Sequence, residues 1–170
     1  MRIDNLSTVA GDIGLLPSAS FLDGSVPTFV QARNASGQSI ASGTPSPIIT
    51  NWTNVTAQNA AEWNPTTGVF TATKAGVYVV SAGLLYNDCT ANINTEFSIA
   101  LNDAFAYHIA QTTSLIKRPT GFLTQIIRMA IGDTFRLQTY HNQGNPIALN
   151  IEAWSNTINI RELPHRLTRV

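Results

Sequence analysis

The chain has 170 residues, ten basic and ten acidic side chains, three histidines and a formal net charge of zero. One domain is expected at this length. The single cysteine excludes an internal disulfide framework and a cysteine-based zinc site, and no apolar run approaches the roughly 20 residues of a membrane-spanning helix. Because net positive charge is lacking and the only lysines are Lys74 and Lys117, the chain has no basic surface for nucleic acid. We therefore predict neither nucleic-acid binding nor membrane insertion.

Residues 1–26 are predicted to form an N-terminal arm. The arm begins without the apolar stretch and cleavage site of a secretion signal, and it shows no helical or strand period. Two interpretations stay open, a flexible leader and a segment that docks on a neighbouring protein. Docking is favoured because the apolar content is high for a free tail. The residues predicted to dock are Ile13, Leu15, Leu16, Phe21 and Leu22.

From residue 27 to residue 163, short runs rich in Val, Ile, Thr, Phe and Tyr recur between turn signals such as Asn64-Pro65 and Gly132-Asp133. This pattern is typical of an all-β sandwich or barrel. The run from Thr95 to Leu101 alternates cleanly, which predicts one buried and one solvated face. Residues 164–170 follow the last predicted strand and are interpreted as an exposed tail or a second contact element.

Two other runs, residues 77–86 and 122–131, are apolar on both predicted faces. A single sandwich covers only one face of each strand, so the second face needs another cover. Charged residues make up only 12% of the chain, about half the usual share. A second copy of the same chain is the simplest cover, and we predict a homo-oligomer.

Residues 62–82 resemble the central signature of the complement C1q globular-head family, whose relatives include tumour necrosis factor. The matching elements are Trp63-Asn64-Pro65, Gly68-Val69-Phe70-Thr71 and Gly76-Val77-Tyr78, and residues 129–135 are similar to the family's Gly-Asp hairpin. The closing strand departs from the family pattern, because it carries Trp154 where the family often has Phe-x-Gly. The resemblance covers about residues 27–163 and implies an all-β, ten-stranded jelly roll that assembles as a homotrimer.

In such a trimer, the two runs with two apolar faces would lie between copies. The predicted interface residues are Val77, Val79, Leu84, Tyr86, Phe122, Ile126 and Ile127. A free-standing domain of this family without a collagen-like repeat looks most like a virion protein of a tailed bacteriophage. The resemblance thus predicts a structural protein that is made in the host cytoplasm and lies on the virion surface. Its arm would bind a capsid or tail protein and so decorate or stabilise the capsid.

An alternative interpretation is a receptor-binding tip of a tail fibre or tail, which recognises a glycan or protein on the host surface. Asn-rich apical loops would form the hydrogen bonds. The candidate ligand residues are Trp52, Asp88, Asn92, Asp103, Asn142 and Asn145. Specific glycan binding would favour the tip, and release from particles after loss of the arm would favour decoration.

The sequence gives little support to catalysis. His108, His141 and His165 lie far apart, no Gly-x-Ser-x-Gly motif is present, and the acidic residues do not cluster as a catalytic pair. Asp88 and Asp103 are scattered loop acids and do not make a calcium site. We predict no enzymatic activity, no cofactor and no bound metal.

Overall fold

A computed structural model describes residues 26–44, 47–87, 89–90, 92–113, 118–152 and 155–163, without the side chains of residues 54, 105 and 108–113. The described residues form twelve β-strands and one short 3-10 turn, Ala60–Glu62. The strands are β1 Phe29–Arg33, β2 Ser39–Ile40, β3 Thr53–Ala57, β4 Trp63–Asn64, β5 Val69–Thr71, β6 Gly76–Leu85, β7 Ile93–Leu101, β8 Ala104–Thr113, β9 Thr120–Met129, β10 Thr134–His141, β11 Ile147–Ala148 and β12 Thr157–Glu162.

Ten of these strands form two five-stranded antiparallel sheets. The first sheet has the order β3-β1-β12-β6-β9, and the second has the order β4-β5-β10-β7-β8. Strands β2 and β11 pair with each other as a separate short ribbon. Because spatial neighbours such as β1 and β12 are far apart in the chain, the connections cross between sheets as in a jelly roll. The predicted all-β, ten-stranded jelly roll is confirmed.

The core lies between the two sheets and is rich in aromatic rings. Phe70 of β5 stacks on Phe135 of β10 at 4.9 Å between ring centroids and meets Tyr78 of β6 edge-on at 5.5 Å. All three side chains are essentially inaccessible to solvent. Phe70 and Tyr78 belong to two of the sequence elements that carry the resemblance, so those two elements supply the centre of the core.

Two glycines are required by close contacts in this core. Gly68 has a φ of +69°, and a Cβ at this position would lie 2.1 Å from the carbonyl oxygen of Ile49. Gly121 of β9 allows Phe97 of β7 to reach the first sheet, because a Cβ there would lie 1.9 Å from the ring. Any other residue at these positions would displace buried neighbours.

The strand directions define two ends of the sandwich. At the base end, Lys74 Nζ donates to the carbonyl oxygen of Val26, and the Leu163 N–H donates to Val77 O at 2.8 Å. The described chain therefore enters and leaves the sandwich at this end. At the opposite, distal end, the Thr90 N–H donates to Gln143 Oε1 at 2.9 Å. The predicted arm up to residue 25 and the tail at 164–170 lie outside the described residues, and the domain boundaries stay predictions.

Candidate interaction surface

The outer face of the first sheet carries an exposed apolar surface, here called the outer patch. It consists of Val77 and Val79 of β6 and Phe122 and Ile126 of β9, with Phe122 72% and Ile126 63% exposed. The strand register places Ile126 opposite Val79 and Phe122 opposite Gly83. The phenyl ring lies across Gly83, since a Cβ there would be 2.7 Å from the ring. The outer patch thus contains two large apolar side chains that are mostly exposed to solvent, whereas side chains of this type are usually buried.

Three residues predicted for the trimer interface lie elsewhere. Leu84, Tyr86 and Ile127 are buried between the sheets of the protomer, with exposed fractions of 3%, 0% and 1%. The Tyr86 hydroxyl bonds the Thr139 hydroxyl at 2.6 Å, and burial raises the pKa of Tyr86 above its ordinary value. These three side chains cannot reach a neighbouring copy, so their assignment to an interface is corrected, whereas the other four predicted residues lie in the outer patch.

The polar groups around the outer patch are neutral or basic. Ser81 and Thr124 lie between Ile126 and Phe122 along the sheet, and their hydroxyl groups share a hydrogen bond of 3.0 Å. Arg128 is exposed opposite Val77. The five strands of this sheet contain one acidic residue, Glu162, and it is buried at the base end. A surface that covers the patch therefore meets apolar groups, hydroxyls and arginine.

The arm junction, residues 26–28, is fixed to the sandwich by two buried carboxylates. The Thr28 N–H donates to Glu162 Oε2 at 3.0 Å, and the Thr28 hydroxyl donates to Glu62 Oε1 at 2.9 Å. Lys74 Nζ also lies 3.0 Å from Glu162 Oε2. Burial, together with the negative charges of both carboxylates, raises the pKa of Tyr78 to about 12. Sequence reasoning missed this cluster, because its members are far apart in the chain.

The candidate ligand residues do not form one site. Asn142 and Gln143 lie at the distal end, where Asn142 Oδ1 accepts from the Asn94 N–H at 2.8 Å. Asp103 lies at the base end, in the turn between β7 and β8, beside the hairpin turn that contains Asp133. The prediction that Asp103 lies in an apical loop together with Asn142 is therefore corrected. Asn92 and Asn145 are exposed in loops of the distal end, and Asp88 lies outside the described residues.

Trp52 is a core residue rather than an exposed ligand residue. It is 4% exposed, its Nε1 donates to the carbonyl oxygen of Ile49 at 3.0 Å, and its ring meets Trp63 edge-on at 5.7 Å. Because both faces of the indole are packed away from solvent, it offers no stacking surface for a sugar.

The outer face of the second sheet contains a groove of about 580 Å³ that sequence reasoning also missed. Arg136 of β10 lies in this groove, and its Nη1 is 3.1 Å from Asp103 Oδ1. The Arg136 Nε is buried without a hydrogen-bond partner. The other lining residues are uncharged: Ile48, Thr50, Asn64, Thr66, Thr67, Val69 and Thr71. No short sequence pattern marks the groove, since it forms where segments 48–50 and 64–71 meet β10.

His141 is fixed in the core at the distal end. Its Nε2 lies 2.9 Å from the carbonyl oxygen of Ile40, which can only accept, so Nε2 carries the proton and Nδ1 accepts from the Gln143 N–H at 3.4 Å. Both ring nitrogens are engaged in structural contacts. In the described part of the chain, no three His, Cys, Asp or Glu side chains gather as metal ligands. Within the same residues, no helix has the length and apolar character needed to cross a membrane.

The described residues thus form a jelly-roll sandwich whose first sheet carries an exposed apolar patch on its outer face. No family model and no curated protein matches the chain. Among solved structures, murine APRIL at pH 8.5 aligns with a TM-score of 0.58 and 9% identity over 81% of this chain and 100% of that chain. Murine APRIL at pH 5.0 aligns with a TM-score of 0.59 and 9% identity over the same shares of the two chains. Eiger TNF from S. frugiperda aligns with a TM-score of 0.56 and 18% identity over 85% of this chain and 99% of that chain. The fold is therefore the TNF-like jelly roll, as the resemblance implied.

Proposed function

We propose that this chain is a non-enzymatic structural protein of a bacteriophage virion, a homotrimer of TNF-like jelly rolls that decorates or stabilises the capsid through its N-terminal arm. The observation that carries the self-association is the outer patch. Phe122 and Ile126 are two large apolar side chains exposed on the same sheet face, which is typical of a protein–protein contact.

The position of the outer patch favours another copy of the chain as its cover. Among the described strands, β9, which supplies Phe122 and Ile126, is an edge of the first sheet, and β8 is the edge of the second sheet on the same flank. An edge of one copy that packs on the outer patch of the next forms a head-to-tail contact. Such contacts close into a ring when the rotation permits, and three copies form the smallest ring beyond a dimer.

The arm junction gives the proposed assembly a direction. Because residues 26–28 are fixed at the base end, three arms would leave a trimer on one side. The arm carries five large apolar side chains, Ile13, Leu15, Leu16, Phe21 and Leu22. Three weak contacts with neighbouring capsid proteins would act together and hold a small trimer by avidity.

The test uses the full-length chain and a full-length variant in which Leu15, Leu16, Phe21 and Leu22 are replaced by serine. Light scattering should give a trimer mass for both proteins, because the outer patch is intact. Only the unaltered chain should bind empty phage particles at a fixed stoichiometry. A monomer mass for the unaltered chain would overturn the assembly, and equal particle binding by both proteins would overturn arm anchoring.

The second candidate function, a receptor-binding tip, is favoured by the exposed asparagines of the distal end. Asn92 and Asn145 lie opposite the arm junction, so a tethered protein would present them outward. Glycan-array binding that is lost on replacing these asparagines with alanine, with particle binding retained, would support the tip. Absence of glycan and host-protein binding would leave decoration as the function.

A further inference from the structure

We infer that the groove around Arg136, here called the Arg136 groove, binds a saccharide that carries a carboxylate. The inference does not depend on the trimer or on the virion, because the groove lies on the second sheet and the outer patch lies on the first. A volume of about 580 Å³ is sufficient for a ligand of one or two sugar rings.

Arg136 provides the charge recognition. Its guanidinium already pairs with a carboxylate, that of Asp103, at 3.1 Å. The Asp103 side chain is 75% exposed, so the pair competes with water and contributes little stability. In addition, the Arg136 Nε is buried and has no partner, which leaves the guanidinium incompletely satisfied. A ligand carboxylate can replace Asp103 and offer two oxygens to the planar fork.

The uncharged lining favours a saccharide over other acids. Four threonines and Asn64 supply hydroxyl and amide groups, which match the alternating donors and acceptors of sugar hydroxyls. Val69 and Ile48 offer aliphatic surface for the C–H face of a ring. Among the described residues, no second base and no acid apart from Asp103 beside the guanidinium faces the groove, so a single negative charge among many hydroxyls is the best match. A uronic acid within a polysaccharide has this chemistry.

The binding test uses the full-length protein and three immobilised polymers. Polygalacturonate carries carboxylates and hydroxyls, poly-L-glutamate carries carboxylates alone, and dextran carries hydroxyls alone. Surface plasmon resonance at low salt should show the strongest retention on polygalacturonate. Equal retention on poly-L-glutamate would assign the groove to acidic polypeptides and overturn the inference. Equal retention on dextran, or retention on none of the polymers, would overturn it as well.

Three variants assign the binding to Arg136. Arg136→Gln should weaken binding to polygalacturonate at least about tenfold, because a charge-assisted pair is lost. Asp103→Asn should strengthen it a few-fold, because the competing carboxylate is removed while asparagine accepts the local positive φ of +64°. Arg118→Gln is the matched control, since it removes an exposed arginine–carboxylate pair outside the groove. Unchanged binding of Arg136→Gln, or a loss with Arg118→Gln as large as with Arg136→Gln, would overturn the inference.

Discussion

The double substitution Phe122→Ser and Ile126→Thr tests whether the outer patch holds copies together. Burying a whole Phe or Ile side chain contributes about 1.5–3 kcal/mol. With 72% and 63% of these side chains exposed in the protomer, each has about 1–2 kcal/mol to gain in a contact. The pair therefore contributes about 2–4 kcal/mol per copy, or about 6–12 kcal/mol for three copies. At 1.4 kcal/mol per factor of ten, the trimer association constant should fall by roughly four to nine powers of ten.

Sedimentation velocity at micromolar protein concentration measures this change directly. The unaltered chain should sediment as a trimer and the double variant as a monomer with an unchanged circular dichroism spectrum. Ile131→Thr is the matched control, because Ile131 is 71% exposed but lies in the turn between β9 and β10. If the double variant stays trimeric, or the control dissociates equally, the assignment of the interface to the outer patch is wrong.

Other substitutions probe the core and the arm junction. Gly121→Ala should lower the free energy of unfolding by about 1–3 kcal/mol, because its Cβ would overlap the buried phenylalanine of β7; a urea midpoint equal to that of the unaltered chain would contradict this. Lys74→Met should cost about 1–3 kcal/mol in the same assay, because Glu162 stays buried without its cation, whereas loss of the exposed Arg118 pair should cost less than about 1 kcal/mol. The pKa of Tyr78 is raised to about 12 in the folded protein, so between pH 10 and 12 this tyrosine ionises in the unfolded chain first and the free energy of unfolding should fall as pH rises. Tyr78→Phe should show a smaller fall in melting temperature over this pH range than the unaltered chain.

Much of the fold follows from local sequence signals. Asn64-Pro65 predicts the turn before β5, and in the structure this turn ends at Gly68, which has a positive φ and the carbonyl of Ile49 beside it. The alternation of Thr95–Leu101 predicted a strand and its buried face correctly. Its predicted solvated face was partly wrong, because Ser98 and Ala100 are 2% and 1% exposed. Alternation identifies the two faces of a strand, but the elements that cover each face come from distant parts of the chain.

The interface errors have a geometric cause that the sequence already contained. Neighbouring residues of a strand point to opposite faces, so Ile126 and Ile127 cannot both meet the same partner. The strand period also separates Leu84 from Val77 and Val79. The two-residue period of a strand alone would have divided the seven predicted interface residues into two sets, one for each face of the sheet. Which set faces outward could not be predicted, because both sets are apolar.

The Arg136 groove and the arm junction could not be predicted from local patterns. Each depends on side chains that only the sheet order brings together, as with Arg136 and Asp103 on different strands and turns. Glu62 and Glu162 are likewise 100 positions apart and meet through Thr28. Single-sequence reasoning identifies residue types and spacing, whereas these sites arise from long-range packing.

The chain enters and leaves the sandwich at one end, and this has a practical consequence. A fluorophore, an affinity tag or a solid support joined directly before Val26 or directly after Leu163 would lie at the base end. A foreign peptide inserted into the exposed loop at residues 144–146 would point away from that attachment. The domain is thus suited to carry an epitope on one pole while it is immobilised through the other.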